Sequence, residues 1–159
     1  MLPSTLYPVG KGGPKSRYIG GTLVFDSAIR YPGVSHEARS RVTIAQVNAG
    51  AVLLAAIPGL RYRLVDASIM AIGGNAAAVT TVDILGTLST ARKLVAFAQA
   101  ALTRSAVLRA GDANSAVLAD GASFVENDAN TAITIGKTGS SVTTATHFDV
   151  VLKFALVAA

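Results

Sequence analysis

Cysteine is absent from the 159-residue chain, which excludes disulfides, thiolate nucleophiles and Cys-ligated zinc or iron–sulfur centres. Tryptophan is absent too, and aromatics make up 6% of the residues. A core therefore has to be built from Val, Ile, Leu and a few Phe, and a sugar-binding face, which stacks on Trp or Tyr, has little to draw on. Charge is scarce: 14% of residues are charged, against about a quarter in an average soluble domain. So little strongly solvated surface implies that partners cover part of it. No membrane span is evident, because the apolar stretch 44–57 includes Gln46 and Asn48 and falls short of the ~20 residues that a spanning helix needs. The start, Met1-Leu2-Pro3-Ser4-Thr5, lacks the basic region and apolar run of a signal peptide. A soluble protein is the expectation.

Catalytic and ligand-binding signatures are missing as well. Gly136-Lys137-Thr138 resembles the end of a phosphate-binding loop, but the required earlier glycine is replaced by Thr131, within a strand-like run. Asp112, Asn114 and Asp120 suggest calcium, yet Ala116 and Ser123 stand where a loop of the EF-hand kind needs oxygen ligands. Gly121-Ala122-Ser123-Phe124 is followed by Val125 rather than the glycine of a nucleophile elbow. His147 and Asp149 share a strand face and could form one edge of a metal site, without a third ligand in view. His36 lies beside Glu37 in a segment that reads as a mobile arm, a poor platform for acid–base chemistry. The nine acidic residues show no paired carboxylates. The expectation is a protein that is no enzyme and carries no cofactor.

What is present divides the chain in two. Residues 1–41 hold Lys11, Lys15, Arg17, Arg30, Arg39 and Arg41 against only Asp26 and Glu37, a local +4 out of a total of +5. The same stretch is rich in Gly and Pro and lacks sustained periodicity, so it reads as an extended basic arm. A solvated, disordered tail is the alternative, since such composition suits disorder too. Leu23, Val24 and Phe25, with Ile29 and Tyr31, look instead like anchors that need a neighbouring surface, as in strand addition. Nucleic acid is disfavoured as the partner because the charges are spread thinly and few aromatics accompany them. An acidic protein surface is simpler.

Residues 42–159 read as one domain of short strands. Thr43 and Gln46 match a capping box that Asn48-Ala49-Gly50 would stop. Strands are expected from Ala51 to Ile57, from Leu60 to Ile72 after the turn at Pro58-Gly59, from Val79 to Leu85, and from Leu94 to Ala98. In the second of these Leu60, Tyr62 and Leu64 alternate with Arg61 and Arg63 before Asp66 and Ser68 blur the pattern. Residues 99–110 suit either a helix or a strand. Further short strands are expected at 116–118, 122–125 and 131–135, with a loop over 137–141. From Thr146 to Leu156 alternation is clearest: Phe148, Val150, Leu152, Phe154 and Leu156 oppose His147, Asp149 and Lys153, Val151 being the exception. Many short strands joined by Gly, Asn and Asp turns predict an all-β fold, an antiparallel β-sandwich of jelly-roll type with an extended N-terminal arm.

Gln46-Val47-Asn48-Ala49-Gly50, Arg61-Tyr62-Arg63-Leu64-Val65-Asp66 and Gly73-Gly74-Asn75-Ala76, with Ile135-Gly136-Lys137-Thr138-Gly139 and Thr146-His147-Phe148-Asp149-Val150, resemble small structural proteins of tailed-bacteriophage virions. The resemblance covers roughly residues 42–157 and lies in pattern rather than in a signature. Among such proteins the capsid decoration, or cement, protein is the nearest in role. That resemblance implies a homo-oligomer, dimer or trimer, on the capsid exterior, whose partner is the major capsid protein. Lys11, Lys15, Arg17, Arg30, Arg39 and Arg41 would then pair with shell carboxylates, while Leu23, Val24 and Phe25 add a strand or fill a groove. The alternatives are a tail or baseplate adaptor or fibre anchor, and a carbohydrate- or receptor-binding sandwich.

Overall fold

The computed structural model describes residues 16–19, 22–25, 35–88, 90–110, 117–118 and 126–159. They fall into two compact units, Met1–Tyr31 and Pro32–Ala159. In the first, β1 (Ser16–Ile19) and β2 (Thr22–Phe25) pair antiparallel, with Arg17 opposite Val24 and Tyr18 opposite Leu23. The segment Leu23–Phe25, expected to add a strand to a neighbour or fill a groove, is part of β2 and pairs with β1. Lys11, Lys15 and Arg30 lie outside the described residues, as do the turn at 111–114 and the strand expected at 122–125.

The second unit is an all-β structure of two antiparallel sheets. One is five-stranded, in the order β4 (Val52–Leu54), β10 (Ile133–Thr144), β6 (Ala76–Leu88), β7 (Thr90–Ala98) and β9 (Val117–Leu118). The other is four-stranded, in the order β3 (Ser35–Thr43), β11 (His147–Ala158), β5 (Leu60–Ile72) and β8 (Val107–Arg109). Their inner faces share one apolar cluster: Tyr62, Leu64, Ile69, Phe148, Val150, Leu152 and Phe154 from the four-stranded sheet meet Val82, Ile84, Val95, Phe97, Ile133 and Ile135 from the other. Tyr62 is buried edge-on to Phe154, ring centres 5.2 Å apart, and its hydroxyl donates to the Ala55 carbonyl at 2.5 Å.

The alternation in β11 holds: Phe148, Val150, Leu152, Phe154 and Leu156 are all buried. The blurred pattern in β5 has a physical cause. Lys153 pairs with Asp66 but the next residue, Phe154, pairs with Leu64. Val65 is therefore a bulge, a residue without an opposite number, and it lets Tyr62 and Leu64 before it and Ala67, Ile69 and Ala71 after it all face inward. The undecided stretch 99–110 is neither a long helix nor a long strand, but a single 3₁₀ turn at Gln99–Ala101 followed by β8. The loop expected over 137–141 is strand. Lys137, Thr138 and Gly139 pair with β6, and Gly139, at φ 87°, absorbs a register shift there.

Between the sheets, β3 passes to β4 through α1 (Ile44–Ala49). The expected capping box is formed: Thr43 Oγ1 accepts from the Gln46 amide and Gln46 Oε1 accepts from the Thr43 amide at 2.8 Å, while Gly50 closes the turn at φ 79°. Asn48 then grips β10, donating to the Val142 carbonyl at 3.2 Å and accepting from the Val142 amide at 2.8 Å. At the opposite end of β10, Asn127 joins both sheets. Its amide donates to Tyr62 O, its Oδ1 accepts from the Thr87 amide, and its Nδ2 donates to Ala132 O. Gly86 makes room for it, since a Cβ there would stand 2.7 Å from Asn127 Oδ1.

Candidate interaction surface

Residues 35–41 belong to the second compact unit as most of β3, paired without a break to Ala155–Asp149 of β11. Arg39 and Arg41 therefore sit on a sheet strand rather than on an arm. Alternation fixes which way they face: with Val42 buried and Thr43, Arg41, Arg39, Glu37 and Ser35 exposed, the basic residues project outward. Beside them on β11 come His147, Asp149, Val151 and Lys153, and beside those, on β5, Ile72, Met70, Ser68 and Asp66. The outer face of the four-stranded sheet thus carries Arg39, Arg41, Arg63, Arg109 and Lys153 interleaved with Glu37, Asp66 and Asp149. His36, expected in the arm, points the other way and lies against the Phe154 ring, centres 5.7 Å apart.

Arg41 and Asp149 face one another across the two strands and form a two-point contact, Nε to Oδ1 at 2.8 Å and Nη2 to Oδ2 at 3.0 Å. This fork geometry suits guanidinium and carboxylate. Hydrogen bonding from Arg41, then its charge and that of His147, holds the Asp149 carboxyl below the usual range, and the same pair raises the Arg41 guanidinium. Arg39 Nε donates to Glu37 Oε1 at 2.7 Å on the same strand face, which lowers the Glu37 carboxyl in turn. A surface depression of ≈ 310 Å³ runs between these side chains, lined by Arg39, Ser40, Arg41, Asp149, Val150 and Val151. Towards the other end of β5, Arg61 and Arg63 close on Glu126.

The metal edge considered for His147 and Asp149 meets a competitor here. The two side chains do share a face, His147 Nε2 lying 3.8 Å from Asp149 Oδ1, but Arg41 occupies both carboxylate oxygens. Among the described residues no group of three His, Asp or Glu could hold a metal ion, and no helix is long and apolar enough to cross a membrane. Gly136-Lys137-Thr138 runs straight along β10 and does not wrap a phosphate. Thr138 donates instead to Asp83 Oδ2 at 2.7 Å on the outer face of the five-stranded sheet, where Lys93 Nζ lies 3.9 Å from Oδ1. Asp112, Asn114, Asp120 and Ser123 lie outside the described residues.

No family model, curated protein or solved structure matches the chain. The outer face of the four-stranded sheet is mixed in charge and flanked by exposed apolar side chains at Val65 and Val107, 52% and 57% accessible. Sequence reasoning singled out Asp149 only as a metal edge and missed its engagement with Arg41, far away in the chain, and it missed the tether Asn127 altogether. Opposite charges at outward positions of two strands are the signal for the first, but only once the strands are known to be neighbours. Nothing in the sequence marks Asn127 apart from other loop asparagines.

Proposed function

We propose that the chain is a non-enzymatic structural protein of a bacteriophage virion, which binds the outside of the capsid as a homo-oligomer and bridges neighbouring capsomers. Its mechanism is adhesive: the sheets form a rigid block in jelly-roll connection, and the basic N-terminal segment with Lys11, Lys15, Arg17 and Arg30 serves as the arm that grips carboxylates of the major capsid protein. Many weak contacts made at once by each oligomer add up through effective concentration.

The observation that carries this reading is the outer face of the four-stranded sheet. Arg39 with Glu37 and Arg41 with Asp149 already pair laterally there and Val65 and Val107 are exposed, an arrangement suited to lying against a protein and unsuited to enclosing a small molecule. The carbohydrate reading loses support in the core, because Tyr62, the only tyrosine after residue 31, is 1% exposed and cannot offer its ring to a sugar.

Deleting residues 1–31 and measuring co-sedimentation with capsid shells tests the proposal. Loss of binding by a truncated protein that keeps its β-sheet circular dichroism supports the arm as anchor, and undiminished binding refutes it. Raising salt should weaken binding of the full chain. Copy number in the particle separates the shell from the tail: a number that follows the shell subunits fits decoration, and one that follows a single ring fits an adaptor.

A further inference from the structure

Among the described residues the two sheets end on four edge strands, and three of them are short: β4 and β8 have 3 residues each and β9 has 2. Short edge strands are one way in which proteins avoid pairing with other chains. The fourth edge, β3, is different. It has 9 residues, contains neither proline nor a register shift, and pairs on one side with β11 and on the other with no described strand. Behind it the core is incomplete: the inward residues His36, Ala38 and Ser40 stay partly exposed, whereas Phe148, Val150, Leu152 and Phe154 on the next strand are 0–2% exposed.

We propose that β3 is the dimerisation edge of this protein, pairing antiparallel with β3 of a second copy about a two-fold axis at Ala38, so that two four-stranded sheets become one of eight strands. The register follows from elementary constraints. Residues opposite one another in an antiparallel pair must direct their backbone groups to the same side, so a symmetric pair places the axis on a residue. With the axis at Glu37, two carboxylates oppose. At Arg39, two guanidinium groups oppose. At Ser40, Arg39 opposes Arg41 of the partner subunit, twice. Of the axes that pair more than half of the strand, only that at Ala38 avoids like charges within it: Glu37 then lies opposite Arg39 of the partner subunit and Arg39 opposite the partner's Glu37, with Ser35 opposite the partner's Arg41 and His36 opposite the partner's Ser40. Cross-strand opposite charges stabilise such a pair and like charges oppose it. The row continues on each side, since Lys153 stands next to Glu37 and Asp66 next to Lys153. Asp66, Lys153, Glu37 and the partner's Arg39 would alternate in sign across four adjacent strands. The Glu37–Arg39 contact within one chain, at 2.7 Å and largely solvated, shows that the two side chains can meet, and pairing between copies exchanges two such contacts, one in each chain, for two across the axis.

This inference rests on the reading of the chain as a self-associating structural protein, and two experiments on the full-length protein test it. The first is a charge swap followed by analytical ultracentrifugation. Glu37→Arg alone and Arg39→Glu alone should each be monomeric at concentrations where the wild type is dimeric, and the double variant Glu37→Arg/Arg39→Glu should dimerise again. Both positions are exposed, so circular dichroism should be unchanged throughout. A monomeric wild type, or a double variant that stays monomeric, overturns the proposal. The second uses the lack of cysteine in the chain. Ala38→Cys places one thiol beside its copy on the axis, within the Cα separation a disulfide spans, and should cross-link on mild oxidation, whereas Ser40→Cys should not. Cross-linking of Arg39→Cys in place of Ala38→Cys would move the axis and refute the register. A cross-linked dimer that ignores capsids would sink the capsid role alone, and capsid binding by a protein that never cross-links would sink the edge pairing alone.

Discussion

Replacing Asn127 by Ala should cost this protein more stability than any surface change, for a reason that can be counted atom by atom. Asn127 is 1% exposed, and its side chain makes two hydrogen bonds to backbone, accepting from the Thr87 amide and donating to the Ala132 carbonyl at 3.1 Å. Alanine keeps neither. Each backbone group left without a partner away from water costs about 1–3 kcal/mol, and since both bonds are only part-buried, the low end of that range, about 1–1.5 kcal/mol each, applies, giving about 2–3 kcal/mol for the pair. The Asn127 amide would still reach Tyr62 O at 2.6 Å, so the loss should be one of tethering rather than of fold. Urea denaturation followed by circular dichroism gives the number directly, and an unchanged m value would show that the unfolding unit is the same. A melting temperature lower by roughly 6–15 °C is the thermal counterpart for a unit of this size. Asn127→Asp is the control: it keeps an acceptor for Thr87 but loses the donor to Ala132 and buries a charge, so it should be no more stable than alanine at neutral pH and should recover as acid neutralises it. A loss below ~1 kcal/mol for Asn127→Ala would mean that water replaces both bonds, and that the join between the sheets owes nothing to this side chain.

Two glycines offer a comparison between strain and collision. Gly59 and Gly73 both have positive φ, 74° and 84°, but an added Cβ at Gly59 meets nothing within 4 Å, while at Gly73 it would lie 2.1 Å from Thr146 Oγ1. Gly59→Ala should therefore lose only the conformational penalty, about 1–2 kcal/mol, and Gly73→Ala clearly more in the same denaturation assay; equal losses would refute the collision. The Arg41–Asp149 pair predicts an acid dependence. Because folding lowers the Asp149 carboxyl, its stabilising contribution is complete above the ordinary carboxylate range and disappears as pH falls through the lowered folded value. The stability gap between wild type and Asp149→Asn should accordingly shrink below about pH 4, and a gap that stays constant from neutral to strongly acid pH would contradict the pairing.

The parts of the fold legible in the sequence were those set by local chemistry. Alternation marks the buried side of β11 because Phe148, Val150, Leu152, Phe154 and Leu156 are large and apolar while the intervening residues, Val151 excepted, are polar or small, and the capping box of α1 is a contact over three residues. Where two elements must agree, the sequence was silent. β10 reads as a loop over 137–141 because Ser, Thr and Gly carry no apolar signal there, and only pairing with β6 and the Asn48 grip on Val142 make it strand. The basic residues of the first forty positions look like one group on a linear count, yet Arg39 and Arg41 project from a sheet. Their Gly- and Pro-rich surroundings stop at Gly33, and the alternation that begins at Ser35 is weak because the inward residues of β3 are His36, Ala38 and Ser40.

That weakness and the bulge at Val65 have a common lesson for how this chain could change. Removing Val65 would leave Leu64 followed directly by Asp66 and Ala67, so the in-and-out order of β5 would run unbroken and every other residue would keep its facing partner on β11. The strand therefore owns one surplus unit that its neighbour never counts. A one-residue deletion, ruinous almost anywhere else in a sheet, should be tolerated at this point, and a lineage of such proteins could lengthen or shorten here without turning its interior to the water.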